Sequence, residues 1–181
     1  MRRTIVAVVE GHRMVTSTVT TFENSLERLD VGWTRASVDE LHDAFERVCT
    51  TPAIGTPLPF DGATLPDWVN DDPTPADLRE ASSSITAAGI GIAEYGTVVL
   101  PSTPDGSEPV SLFSDLHVPV VRVSDVVPGM PEAFARLGEE FRTGEHSSAI
   151  LATGPSATAD MGALVRGAHG PKEVHVVIVD E

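Results

Sequence analysis

A chain of 181 residues with 41% hydrophobic side chains suits one α/β domain, able to bury roughly 70% of its unfolded surface. Its 27 acidic against 12 basic side chains leave a net charge of −15, which repels nucleic acid and anionic membrane and argues against both as partners. The lone cysteine, Cys49, excludes an intrachain disulfide and any cysteine-built zinc or iron–sulfur site.

The acids are spread along the chain, and Lys172 is the only lysine. That balance resembles the acidic, halophilic-type surface of proteins from salt-loaded cytoplasms, where ionic strength screens self-repulsion. The longest apolar runs are about six residues, against the roughly 20 needed to cross a bilayer, so no membrane insertion is expected. Met1-Arg2-Arg3 before Ile5–Val9 opens like a signal peptide, but Glu10 closes the run and no small-residue cleavage site follows, so a cytoplasmic protein is expected. Met14 offers a second start, which leaves open whether residues 1–13 belong to the mature protein.

In chain order, residues 1–21 are poorly patterned, and Thr16–Thr21 reads as a loose lead-in or an edge strand. One domain is expected over 22–181. Phe22, Leu26 and Leu29 space a short helix. Gly32–Ala36 is a strand, and Ser37 with Glu40 forms a capping box before a helix over Val38–Val48. Cys49 follows it and reads as a buried structural thiol. Pro52–Gly55 is a short strand, and five prolines between 56 and 75 mark a surface loop. Ala76–Ala81 is a short helix, Ser82–Ile85 a strand, Thr86–Ala93 a small-residue helix, and Gly96–Leu100 a strand. Pro101–Pro109 is a turn-rich loop; Val118–Val123 is a strand and Pro131–Arg142 a helix. The last 35 residues read as strand (Ser148–Ala152), polar loop (Gly154–Asp160), helix, and strand (Val174–Val179), a small βαβ unit. The sum is an α/β fold: a mostly parallel, three-layer sheet flanked by helices.

Loops that leave the carboxyl ends of such strands are where ligands usually sit. Gly154, Pro155, Ser156, Thr158 and Asp160 offer hydroxyls and helix-start amides suited to a phosphate or carboxylate, or to ordinary helix capping. His169 beside Gly170 suits anion donation or proton transfer near neutral pH, or a turn satisfied by backbone. Glu94, before the Gly96-Thr97 turn, suits a general base or nucleophile, or a carboxylate that caps amides or pairs with an arginine. No histidine spacing suits a metal, Gly89-Ile90-Gly91 lacks the rest of a dinucleotide loop, and Lys172 lacks a phosphate-loop glycine pattern.

GIAEYGTVVL at 91–100, SLFSDLHVPVVRV at 111–123 and GPSATADMGALVRGAHGPKEVHVVIVD at 154–180 resemble the LUD (lactate-utilisation) domain of the LutC/YkgG type, from about Phe22 to the end. The resemblance implies a fold similar to the CoA-transferase and ribose-5-phosphate-isomerase-like superfamily. It further implies an accessory or substrate-binding role beside iron–sulfur partner subunits that oxidise L-lactate to pyruvate. The clusters would then lie in the partners, with no cofactor in this chain. A small anion would sit between the 94–97 turn and the 154–160 and 169–171 loops, with Glu94 as acid/base or anchor. Two departures stand out: Tyr95 replaces a small residue, and Met161-Gly162-Ala163 lacks a carboxylate often found there. The alternatives are a CoA-transferase-like enzyme acting on a small acid and a non-catalytic assembly factor.

Overall fold

The computed structural model describes residues 17–160 and 163–180. The expectations for residues 1–13, Thr16, Met161 and Gly162 lie outside the described residues. In chain order the elements are α1 (17–28), β1 (Gly32–Ser37), a 3-10 turn (Val38–Glu40) running into α2 (Leu41–Val48), β2 (Ala53–Gly55), β3 (Val69–Asn70), α3 (Pro75–Glu80) and β4 (Ser83–Ala87). They continue with β5 (Ile90–Ile92), β6 (Thr97–Pro101), α4 (Ser107–Phe113), β7 (Leu116–Arg122), β8 (Val126–Val127) and α5 (Met130–Thr143). Last come β9 (Ala149–Thr153), β10 (Ala157–Asp160), β11 (Ala163–Arg166) and β12 (Glu173–Asp180).

Six strands form a wholly parallel sheet in the order β1-β12-β7-β4-β2-β3. Side chains alternate across it as strand geometry requires. Val118, Val120, Val177 and Val179 face α2, joined by Leu41, Phe45 and Phe60. Val121, Val176 and Ile178 face the other way, against Val19, Phe22 and Leu26 of α1 and against a second sheet, β8-β5-β6-β9. The outer face of that second sheet carries Ile90, Ile92 and Val99, which α5 covers with Ala133 and Leu137. The α/β class with a parallel central sheet flanked by helices thus holds.

Four local expectations are corrected. Residues 17–21 are helical, because Val19, Phe22 and Leu26 share one face that is wholly buried. The hydroxyls of Thr21 and Ser25 fold back on the carbonyls of Ser17 and Thr21 at 2.9 Å, the bond that lets such residues sit within a helix. Residues 86–93 are no helix: β4 runs to Ala87 and β5 pairs Ile90–Ile92 antiparallel to β6. A Cβ at Gly91 would stand 3.3 Å from the Phe22 ring, so the bare glycine admits the aromatic. The loop at 101–109 is shorter than expected, since α4 starts at Ser107. Finally, 154–173 holds no helix among its described residues. β10 and β11 form an antiparallel hairpin pairing Thr158 with Val165, and β9 runs antiparallel to β6 in the second sheet, so the predicted βαβ unit does not exist.

The capping box at Ser37 is present, with the amide and hydroxyl of Ser37 both donating to Glu40 Oε2 at 2.9 Å. Polar groups also enter the core in satisfied pairs. His117 on β7 is fully buried, with Nε2 2.8 Å from Thr86 Oγ1. Burial pushes its pKa down to about 3 from 6.5. The unfolded chain therefore binds a proton that the folded chain refuses. This contribution to stability is complete above pH 6.5 and is lost as pH falls from there towards 3. His117→Gln, which keeps a partner for Thr86, is expected to flatten the pH dependence of urea-unfolding stability between about pH 6 and 4 by up to about 1.4 kcal/mol per pH unit. Equal slopes in the two proteins would contradict this account.

Candidate functional site

Because every strand of the central sheet points the same way, the sheet has two unlike ends. β7 runs from Leu116 at the amino end to Arg122 at the carboxyl end, roughly 20 Å apart at about 3.3 Å per residue. A cavity of about 380 Å³ opens at the carboxyl end of β2, β4 and β7, where open α/β sheets usually hold ligands. Leu58, Ala88, Gly89 and Pro101 give it an apolar wall, and Arg122 and Arg136 a charged one that they share with the carboxylates of Asp105, Asp125, Glu140 and Glu145.

The charged wall follows from local structure. β7 ends at Arg122, and the 3-10 turn Val123–Asp125 brings Asp125 back beneath it, so Arg122 Nε meets Asp125 Oδ2 at 2.6 Å. Arg136, two turns into α5, reaches Asp125 Oδ1 through Nη1 at 2.7 Å and Glu140 Oε1 through Nε at 3.0 Å. The Asp125 side chain is only 7% exposed, while both arginines keep 35%. Burial alone would lower the Arg136 pKa, but its bonds to Asp125 and Glu140 and their charges outweigh it and raise the pKa. The Arg122 guanidinium also lies 5.6 Å from the centre of the buried Phe60 ring, a cation–π contact. Arg136 lines the cavity, and its guanidinium has more N–H donors than the two given to Asp125 and Glu140.

The residues singled out from sequence lie elsewhere. Ser156 does meet Gly170 and Pro171: its amide donates to the Pro171 carbonyl at 2.9 Å, and a Cβ at Gly170 would stand 3.0 Å from Ser156 Cβ, while Gly154 packs near Leu29 and Val31. Thr97 is fully buried, its hydroxyl 2.6 Å from that of Thr153. Gly96, at φ +62°, packs on Ser25, Leu26 and Leu29 of α1. The expected cradle of helix-start amides is absent among the described residues, since Thr158 and Asp160 lie on β10 and the Ser156 amide is already spent. The Asp160 side chain lies outside the described residues. His169 is exposed. Glu94 is exposed too, and its carboxylate turns to Gly129 at the start of α5, where a Cβ would come within 2.9 Å of Oε2. That is the β8 edge of the second sheet, at the far side from β9. The 169–171 loop enters β12, so this cluster stands at the amino end, not the carboxyl end. What sequence reasoning missed was Arg122, Asp125 and Arg136; the available signal was a charged pair three residues apart at the close of an apolar strand.

The LUD domain family model matches residues 70–179, which hold β4 to β7, Arg122, Asp125, Arg136 and most of β12. This chain belongs to the LUD domain family. It is similar to the lactate utilization protein C of Deinococcus radiodurans, 29% identical over 168 residues, covering 87% of this chain and 77% of that protein. The protein of the same description from Bacillus licheniformis is 29% identical over 144 residues, covering 77% and 60%. The one from Bacillus subtilis is 31% identical over 128 residues, covering 68% and 53%. The matched part thus spans little more than half the length of the Bacillus proteins. A crystal structure of a DUF162 family protein from Deinococcus radiodurans has the same fold, with TM-score 0.69 over 91% of this chain and 98% of that one at 23% identity. No described helix of this LUD domain is long and apolar enough to cross a membrane.

Within the LUD domain, Asp125 is the group whose loss leaves most behind. Asp125→Asn keeps its shape but strips the counter-charge from two partly buried guanidiniums. An unfolding stability lower by about 2–3 kcal/mol is expected in urea titration. A change within about 0.5 kcal/mol would show that neither guanidinium depends on the Asp125 charge.

Proposed function

We propose that this LUD domain serves in lactate utilisation by binding a small hydroxy or keto acid in the carboxyl-end cavity. The observation that carries the reading is the placement of Arg136: charged, braced by two carboxylates and still holding donors, on the wall of a cavity at the ends of parallel strands. The relatives' shared description as lactate utilization protein C supplies the substrate class.

In this reading Arg136 takes the ligand carboxylate through the donors it does not give to Asp125 and Glu140. Arg122 holds Asp125 in place, and so fixes Arg136, from the end of β7. Leu58, Ala88 and Pro101 receive the methyl group. A guanidinium fixed before the ligand arrives spends little ordering free energy on capture. Oxidation of a hydroxy acid to a keto acid releases two electrons and two protons. One cysteine cannot hold a cluster to accept the electrons, so these pass to iron–sulfur partner subunits and the protons to solvent, and this chain acts as the substrate-binding or accessory component. Glu94 then positions the start of α5, on which Arg136 rides, rather than moving a proton of the substrate.

Calorimetric titration with pyruvate and L-lactate tests the reading. Gly89→Leu adds a side chain on the cavity wall, from a backbone without positive φ and with only ordinary contact at Cβ, to the Pro101 ring at 3.6 Å. It is expected to weaken binding at least tenfold, about 1.4 kcal/mol, as is Arg136→Gln, while Ser156→Ala leaves it unchanged. Absence of binding by either acid, or undiminished binding to Gly89→Leu, would contradict the proposal.

A further inference from the structure

The opposite end of the central sheet carries a second cleft, of about 480 Å³, where β1, β7 and β12 begin. Three of the chain's few cations line it: Arg47 from the last turn of α2, Arg166 from the end of β11, and Lys172 just before β12. Elsewhere in the described residues, arginines are mostly engaged: Arg35 with Glu23 and Asp180, Arg122 and Arg136 with Asp125, Arg142 with Glu139. Among the described residues neither the Arg47 nor the Arg166 side chain has an ion pair or a hydrogen bond, and the charge of Arg47 is the smallest of the influences on Glu40. In a chain of net charge −15, two unpaired guanidiniums facing one cleft stand out against an abundance of available carboxylates.

The cleft is also shaped around its other groups. Gly32 leaves room for the His175 ring, which a Cβ would overlap, and Thr34 Oγ1 holds the far nitrogen of that ring at 2.8 Å. Gly167, at φ +77°, leaves room for the stem of Lys172, which a Cβ there would also overlap. Lys172 Nζ rests on Asp115 at 2.8 Å, an exposed pair of the kind worth about 1 kcal/mol or less, so it is readily exchanged for a ligand anion. Asp30 and Glu173 line the same cleft without an ion pair among the described residues. Carboxylates accept hydrogen bonds only, so a bare polyanion would meet them with repulsion, whereas hydroxyl groups would satisfy them.

We propose that this cleft binds a small molecule bearing both a phosphate and hydroxyl donors, the phosphate on Arg47, Arg166 and Lys172 and the hydroxyls on Asp30 and Glu173. The volume falls within the usual range for small-molecule sites and exceeds what a phosphate alone would fill. This site is independent of the small-acid cavity, being at the other end of β7.

Calorimetry at fixed ionic strength with sn-glycerol 3-phosphate, inorganic phosphate and glycerol tests it on the full chain. Glycerol 3-phosphate is expected to bind at least tenfold more tightly than inorganic phosphate, and glycerol alone not to bind. The double variant Arg47→Gln/Arg166→Gln should lose at least tenfold in affinity. Arg79→Gln, an exposed arginine of α3 outside the cleft, controls for net charge and should bind as the parent does. Gly89→Leu, on the wall of the other cavity, should also bind glycerol 3-phosphate as the parent does. All three arginines are exposed, so the variants are expected to melt like the parent. No binding of glycerol 3-phosphate, equal affinity for inorganic phosphate, an unaffected double variant, or an equal loss in Arg79→Gln would each overturn the proposal.

Discussion

The last strand of the chain sits inside the central sheet, between β1 and β7, and parallel to both. A parallel strand added after β7 must enter at the same end, so the chain has to travel back across the molecule before β12 can begin. The return path, residues 123–172, is where β8, α5, β9 and the β10–β11 hairpin are found. That return path supplies β8 and β9, the two edges of the second sheet, on either side of β5 and β6. It also sends the Gly154–Ser156 and 169–171 loops to the amino end, while Arg122, Asp125 and Arg136 stay at the carboxyl end.

Asp125 links the layers across that arrangement. It sits on the short turn after β7, buried between an arginine of the central sheet and an arginine of the helix that covers the second sheet. Such a triad adds little net stability over apolar packing, because taking charges out of water offsets much of their attraction. Its consequence is geometric: Arg136 is fixed on the wall of the cavity by two carboxylates. The Arg47 and Arg166 cleft is the opposite case, with cations left exposed and unpaired among the described residues. One end holds a braced guanidinium in a partly apolar cavity, the other unbraced ones in a polar cleft, and they suit ligands of different charge and hydration.

Much of the fold is legible in the residue pattern. Strands β6, β7 and β12 are rich in β-branched residues, and α2 and α5 carry clear apolar faces. The capping box at Ser37 and Glu40 forms as its spacing predicts. The failures share a cause. Residues 86–93 and 157–166 are rich in alanine, which favours helix locally, and strand pairing in the tertiary structure overrides that preference. Burial of Val19 likewise overrides the β-leaning threonines of α1. The site is harder, because its three charged residues come from a strand end, a turn and a helix, and only the register of the parallel sheet shows that they meet. The hydroxyl- and glycine-rich loop at 154–160 has the right residue types for an anion, yet its Ser156 amide is bonded to Pro171. Composition cannot show that a donor is already taken.

The central claim, that a small acid binds at the carboxyl end of the parallel sheet, is tested most directly by mapping amide chemical-shift changes as pyruvate is titrated into the isotope-labelled chain. The account predicts saturable shifts gathered at Ala87–Gly89, Thr103 and the first turns of α5 around Arg136. Shifts gathered instead at Gly154–Ser156 and His169–Gly170, or none at millimolar pyruvate, would contradict it.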